Sequence, residues 1–306
     1  MGDKFQFHVG ERDAGARLDH FLAARLTRLS RMRIASLAAA GACAVNGSAA
    51  HSGFKLHAGD SVEITFDEAA AEGAMTPEAI PLAILHEDAD LLVVDKPAGM
   101  LVHPTRSVKS GTLANALAHH LNRVATNPRS AIRDPQFIRP GLPHRLDRAT
   151  SGLMVVAKNQ RALTVLSRHF HRRLVEKRYL ALVHGRVLAD EMTISAPVGR
   201  VEEAWPKWRV TGGGRAAESR LRVVERRATA TLVELEPVTG RTNQLRIHCA
   251  HAGHPIVGDD WYGSTAESRL CLHAARLAFN HPSGGARVEF SSALPAEIAS
   301  LLEAAG

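Results

Sequence analysis

PHRLDRATSGLMVVAK, residues 143–158, sets Asp147 between Arg145 and Arg148, then makes a turn and enters an apolar run. Leu153–Ala157 reads as a strand buried on both faces, because five apolar residues in a row leave no solvent side. A carboxylate at the mouth of such a strand is either paired in a structural network or held for chemistry.

Outward from this point the chain alternates irregularly. LLVVDKPAGMLVHP (91–104) begins as another apolar strand and breaks at Lys96-Pro97. Thr112–Leu121 has helical periodicity, and Arg161–Arg173 reads as a helix with a basic face. Tyr179–His184, Ala230–Pro237 and Leu270–Phe279 supply further strand or mixed segments. Strands and helices do not alternate strictly and no repeat is visible. The pattern therefore predicts an α+β fold, a mixed or antiparallel sheet with flanking helices, rather than a doubly wound one.

Toward the N-terminus, Leu18, Phe21, Leu22 and Leu26 recur at helical spacing, as do Ile34, Leu37 and Ala38 after a break at Ser30-Arg31. Gly41 fits a helix terminator. Ala42–Val45 and Ser61–Phe66 read as short strands, with Asn46-Gly47 as a hairpin turn rather than part of a glycosylation acceptor. This small helix-helix-hairpin unit carries Arg25, Arg28, Arg31 and Arg33. The expected organisation is a small domain over 1–66, an Ala/Glu/Gly-rich linker over 67–79, and a large domain over 80–306.

Composition narrows the function classes. Thirty-eight Lys and Arg residues stand against 31 Asp and Glu, a formal net charge of +7 that favours a polyanionic partner. Cys43, Cys249 and Cys271 lack any C-x-x-C spacing, which fits a reducing compartment and argues against a disulfide framework or a zinc ribbon. No run is apolar for long enough to span a bilayer, and Met1–Phe7 lacks a signal-peptide core. A cytoplasmic chain without membrane association is expected. His248, His251 and His254 in HCAHAGH have loose spacing and no interleaved carboxylate before Asp259, so they read as core or surface histidines rather than a metal site.

Four motifs, in order, carry more than pattern: HEDADLLVVDKPAGMLVHP, PHRLDRATSGLMVVAK, VEKRYLALVHG and VTGRTNQLRIHCAHAGHPIVGD. Together they resemble the RluA-type RNA pseudouridine synthases from about Ile80 to the end, where RLCLHAARLAFNHP is similar to the family's closing strand. The small N-terminal unit resembles an RNA-binding domain named after a small-subunit ribosomal protein. The resemblance implies an isomerase that converts specific uridines of ribosomal or transfer RNA to pseudouridine, as a monomer. It implies no nucleotide cofactor and no metal, in agreement with the lack of a Gly-rich phosphate loop or a metal cage in the sequence.

By position, the resemblance makes Asp147 the catalytic aspartate, Arg246 in GRTNQLR its arginine partner, and Tyr179 in KRY the ring against the target base. Arg145 would fill the space left by the extruded base, and a planar cation that stacks suits that task better than lysine. Arg148 reads equally as a phosphate contact or a structural pair, and Arg31 and Arg33 are candidate RNA contacts. A carboxylate beside the anomeric carbon can add to it, stabilise its charge, or remove a ribose proton. Two departures stand out: Asn243 where the family usually has histidine, and Ala149 at a frequently acidic position. EEAWPKWRVTGGGRAAESR (202–220) has two tryptophans in a region that varies in the family, and the resemblance gives it no role. Two rival functions remain. One is a non-catalytic RNA-binding or ribosome-assembly factor, disfavoured by the Asp147, Tyr179 and Arg246 set. The other is a retaining glycosidase, disfavoured because no second acidic residue accompanies Asp147 in these motifs.

Overall fold

In the computed structural model, which describes residues 3–26, 29, 31–66, 76–105, 107–122, 139–263 and 269–306, the apolar run after Asp147 is a strand, Ser151–Ala157, with all seven residues buried. The described residues fall into two compact units, drawn from 1–80 with 103–140 and from 81–102 with 141–306.

The first unit contains β1 (Asp3–His8), α1 (Leu18–Arg25), α2 (Arg31–Ala39), β2 (Cys43–Val45), β3 (Ser48–Ala49), β4 (Ser61–Phe66) and α3 (Leu113–Leu121). The four strands form an antiparallel sheet in the order β1-β4-β2-β3. Leu18, Leu22, Ile34, Val62 and Ile64 are fully buried in its core. Asn46 and Gly47 both have positive φ, at 50° and 78°, and join β2 to β3, the tight turn that Asn-Gly favours. Strand β1 goes beyond the sequence pattern, although Phe5 and Phe7 alternate with Lys4 and Gln6 and lie against the core. Helix α3 opens with a capping box between Thr112 and Asn115. Most of the expected linker, residues 67–75, lies outside the described residues, as does Arg28.

The second unit contains β5 (Ala83–Glu87), β6 (Leu91–Lys96), β7 (Ser151–Ala157), α4 (Gln160–His171), β8 (Glu176–His184), β9 (Glu191–Ser195), β10 (Val198–Arg200), β11 (Trp208–Val210), β12 (Glu218–Arg226), β13 (Ala230–Pro237), α5 (Gln244–His251), β14 (Leu272–Asn280), β15 (Arg287–Ser291) and α6 (Ala296–Ala304). Nine of its strands make one sheet, β5-β6-β7-β14-β8-β13-β12-β9, with β15 paired to β14. All pairings are antiparallel except β7 with β14, so the sheet is mixed, as the sequence pattern predicts. Gly152 sits at that parallel junction with φ 115°, and a Cβ there would run into the backbone of Ala274. Helix α4 closes one core with Ala162 and Leu166 against Leu153, Val155 and Phe279. Helices α5 and α6 close another, with Leu245, Cys249, Ile298 and Leu302 against Ala181, Val233 and Leu272. Apolar burial on this scale supplies most of the driving force that holds helices on the sheet. Among the described residues, no helix is long and apolar enough to cross a membrane.

Candidate active site

Asp147 lies in the turn between His144 and the start of β7. The turn is fixed from three sides. His144 stacks on Phe170 with ring centroids 4.3 Å apart, and its Nε2 accepts the Val155 N–H at 3.0 Å. That bond requires a lone pair on Nε2, so His144 is neutral, in keeping with burial that lowers its pKa to about 3. On the C-terminal side the Thr150 N–H donates to the Asp147 carbonyl at 3.2 Å.

The third support is Lys96, fully buried at the end of β6. Its Nζ donates to the carbonyls of Pro97, Met100 and Arg148 at 2.8, 2.9 and 3.3 Å. Burial lowers its pKa to about 8, against the pull of the Asp147 carboxylate. Arg148, which reads from sequence as either a phosphate contact or a structural pair, donates from Nε to the Gly99 carbonyl, whose own N–H returns to the Arg148 carbonyl. Lys96 is absent from the site residues that the sequence points to. Its signal is a lysine ending a strand of buried apolar residues, a place where a cation is found only with dedicated acceptors.

The electrostatics of Asp147 follow from what surrounds it. Burial raises its pKa above the usual carboxylate value, and the charges of Arg246, Arg145 and Lys96 oppose that rise without cancelling it. Arg145 is exposed and takes part in no ion pair among the described residues. Tyr179, on β8, is pushed upward by burial and by the negative charge of Asp147, so its phenol keeps its proton.

Arg246 departs from expectation in one respect. Its guanidinium forks onto Asp259, Nε to Oδ2 at 2.8 Å and Nη2 to Oδ1 at 2.6 Å, rather than onto Asp147. Asp259 is fully buried and also accepts the N–H groups of Trp261 and Tyr262, at 3.0 and 3.1 Å. Arg246 is thus held as a fixed cation by Asp259 and reaches Asp147 through its field. The direct Arg246–Asp147 pair does not form: the Nε–Nη2 edge of the guanidinium is taken by Asp259, and Asp147 feels its charge without a hydrogen bond to it. The sequence marks Asp259 only as a distant acidic residue near the histidines.

Asn243 caps α5 with φ 54°, a left-handed conformation that asparagine tolerates better than most residues, and donates to the Tyr262 hydroxyl at 3.1 Å. The three histidines do not converge. His248 faces the Ala196 carbonyl and His254 the His184 carbonyl. In the first unit, Arg31 donates to Asp19 at 3.3 Å, while Arg33 is half-buried on α2.

A half-buried carboxylate with oxygens uncommitted to a guanidinium among the described residues, three cations acting on it and a protonated phenol beside it can meet developing positive charge on a sugar and a departing base. The relatives of the chain agree with this chemistry. Residues 90–251 match the RNA pseudouridylate synthase family. The chain is 38% identical over 298 residues to an uncharacterized RNA pseudouridine synthase of Bacillus subtilis, covering 96% of each protein. It is 37% identical over 302 residues to ribosomal large subunit pseudouridine synthase D of Nitrosomonas europaea, covering 95% of this chain and 85% of that protein. Among solved structures, human RNA pseudouridylate synthase domain containing 1 aligns with a TM-score of 0.54 at 27% identity, over 74% of this chain and 95% of that one.

The fold and the matches place the chain among the enzymes that isomerise uridine within RNA. It belongs to the RluA-type RNA pseudouridine synthases.

Proposed function

We propose that the chain modifies uridines of large-subunit ribosomal RNA, with Asp147 as the group that acts on the ribose of the target nucleotide. Support for the RNA comes from relatives named as large-subunit enzymes, in Nitrosomonas europaea and, at 36% identity over 304 residues, in Pseudomonas aeruginosa. The observation that carries the role of Asp147 is that its carboxylate, held in a fixed turn, has no guanidinium bonded to it among the described residues: Arg246 forks onto Asp259 and acts on Asp147, with Arg145 and Lys96, only by charge. Cleavage of the glycosidic bond places positive charge on the sugar and negative charge on uracil, the base turns, and the sugar rejoins at ring carbon 5. The new bond to carbon 5 displaces the hydrogen there as a proton to solvent while ring nitrogen 1, released from the sugar, takes one up, and Tyr179, which stays protonated, stacks on the base and donates a hydrogen bond to it. Arg145, exposed in the turn, enters the space of the extruded nucleotide. Residues 1–66 act as the gripping module, with Arg31 and Arg33 near phosphate.

The test is release of tritium from carbon 5 of uridine in an unmodified large-subunit ribosomal RNA transcript. The native chain should release label at discrete sites, and Asp147→Asn should not. Tyr179→Phe should keep binding and lose rate if donation matters, and keep both if the ring only stacks. Label release from transfer RNA alone would redirect the substrate and leave Asp147 in its role.

A further inference from the structure

The β10–β11 hairpin carries a feature that uridine isomerisation does not use. Trp205, at its tip, is 70% exposed, and Trp261 is 42% exposed. Their rings lie 5.4 Å apart at 57°. Two large aromatic surfaces left side by side in water lose the burial that normally fixes tryptophan. They are nevertheless anchored. Trp208 packs with Tyr262 against Val198, Ala217 and Ile247, and its carbonyl accepts the Tyr262 hydroxyl at 2.9 Å. Arg209 Nη2 donates to the Trp205 carbonyl at 3.3 Å.

The pair is next to the chemistry. The Arg246 guanidinium lies 5.0 Å from the centroid of Trp261, whose N–H donates to the same Asp259 carboxylate that holds Arg246. The nearby chain carries more cations than acids: Arg200, Lys207, Arg209 and Arg215 stand against Glu202, Glu203 and the exposed Asp260. Glu202 is engaged by both Arg200 and Lys207, at 3.0 and 2.8 Å. We propose that Trp205 and Trp261 form a stacking platform for an unpaired base of the substrate RNA, a neighbour of the extruded uridine. Extruding a nucleotide leaves the bases beside it unstacked, and an aromatic face replaces that missing stacking for any base identity. The flanking cations answer the phosphates on either side of the stacked base. This inference rests on RNA being the substrate; the large-subunit assignment is a separate matter.

The experiment compares the native chain with Trp205→Ala and Trp205→Phe, using the unmodified ribosomal transcript and single-stranded decauridylate as probes. Trp205→Ala should weaken binding of both roughly tenfold, within the range stacked bases show, while the single-turnover rate at saturating transcript changes by less than about threefold. Trp205→Phe should recover most of the affinity, which a purely structural role for the loop would not require. Native tryptophan emission should be quenched by decauridylate, and less so in Trp205→Ala. Unchanged affinity in Trp205→Ala, or no quenching by either RNA, overturns the platform. Quenching by decauridylate without label release from the transcript retains the platform and rejects the ribosomal substrate.

Discussion

The tripeptide Arg-Leu-Asp occurs twice around a buried leucine, at 17–19 and at 145–147, and the two copies end in opposite electrostatic states. In the first, Arg17 folds back onto Asp19 with Nε to Oδ1 at 3.0 Å and Nη2 to Oδ2 at 3.2 Å, and Arg31 adds a third bond. Burial raises the Asp19 pKa, but the hydrogen bonds of Arg17 and Arg31 outweigh it and bring the group below its ordinary value. Its place in the first turn of α1 adds a favourable helix dipole. In the second, Arg145 is exposed and forms no ion pair among the described residues, and Asp147 moves the other way. A carboxylate whose lone pairs are spent on guanidinium groups stabilises the fold. One that feels cations at a distance keeps its oxygens for a substrate.

The sharpest test of the contrast is paired replacement. Asp147→Asn should lower saturating label release by about a thousandfold or more, while Asp19→Asn leaves it within a few-fold. A comparable loss in both would erase the distinction between the two copies. The Asp147 change should also leave the melting temperature equal or higher, because its raised pKa means the ionised form opposes folding above the unfolded value.

Next in size is Arg246→Ala, expected to reduce the rate roughly a hundredfold by removing the largest cationic influence on Asp147. Activity needs ionised Asp147, so it fails as pH falls through a pKa above the usual 3.8. Without Arg246 that acid limb should move to higher pH, and Arg246→Lys should place it between the two. A pH–rate profile with no shift would show that the field of Arg246 does not set the state of Asp147.

Asp19→Asn should instead cost stability, about 1 to 2 kcal/mol, measured by urea denaturation at neutral pH. The sign with pH is also opposite to that of Asp147. A lowered folded pKa gives stability that is present above the unfolded value and is lost as pH falls through the folded one. The native and Asp19→Asn stabilities should therefore converge in acid, and a difference that persists there would assign the effect to shape rather than charge.

The smallest effect is expected from Arg31→Ala with Arg33→Ala. For every phosphate that is no longer neutralised, the log–log salt dependence of RNA binding should flatten by roughly 0.7 to 0.9, at unchanged saturating rate. An unchanged slope would confine Arg31 to its bond with Asp19.

Long apolar or periodic segments were legible because burial on both faces, or at helical spacing, leaves a local trace. Ser61–Phe66 and Ala230–Pro237 have the predicted limits, and β6, β7, β8, α3 and α4 fall where the pattern puts them, within a few residues. Edge and hairpin strands such as β1, β10, β11 and β15 are short or half-exposed, and the helical pattern of α5 is interrupted by Gln244, Arg246 and His248, which reach Ser219, Asp259 and the Ala196 carbonyl in the folded chain. Lys96 and Asp259 escaped for a related reason: each is defined by acceptors or donors that only the folded chain supplies.

The sequence by itself determined the mixed sheet, the family and the candidacy of Asp147, because apolar runs and ordered motifs are properties of neighbouring residues. The tertiary structure alone decided which arginine serves which aspartate. Arg17 takes its near neighbour Asp19, Arg145 in the same tripeptide pattern leaves Asp147 unpaired among the described residues, and Arg246 takes Asp259, 13 residues on, because a guanidinium forms its fork with whichever carboxylate the fold brings into its plane, whether or not that is the one nearest in sequence. That choice leaves Asp147 under the positive charge of Arg246 while the Arg246 fork is spent on another carboxylate.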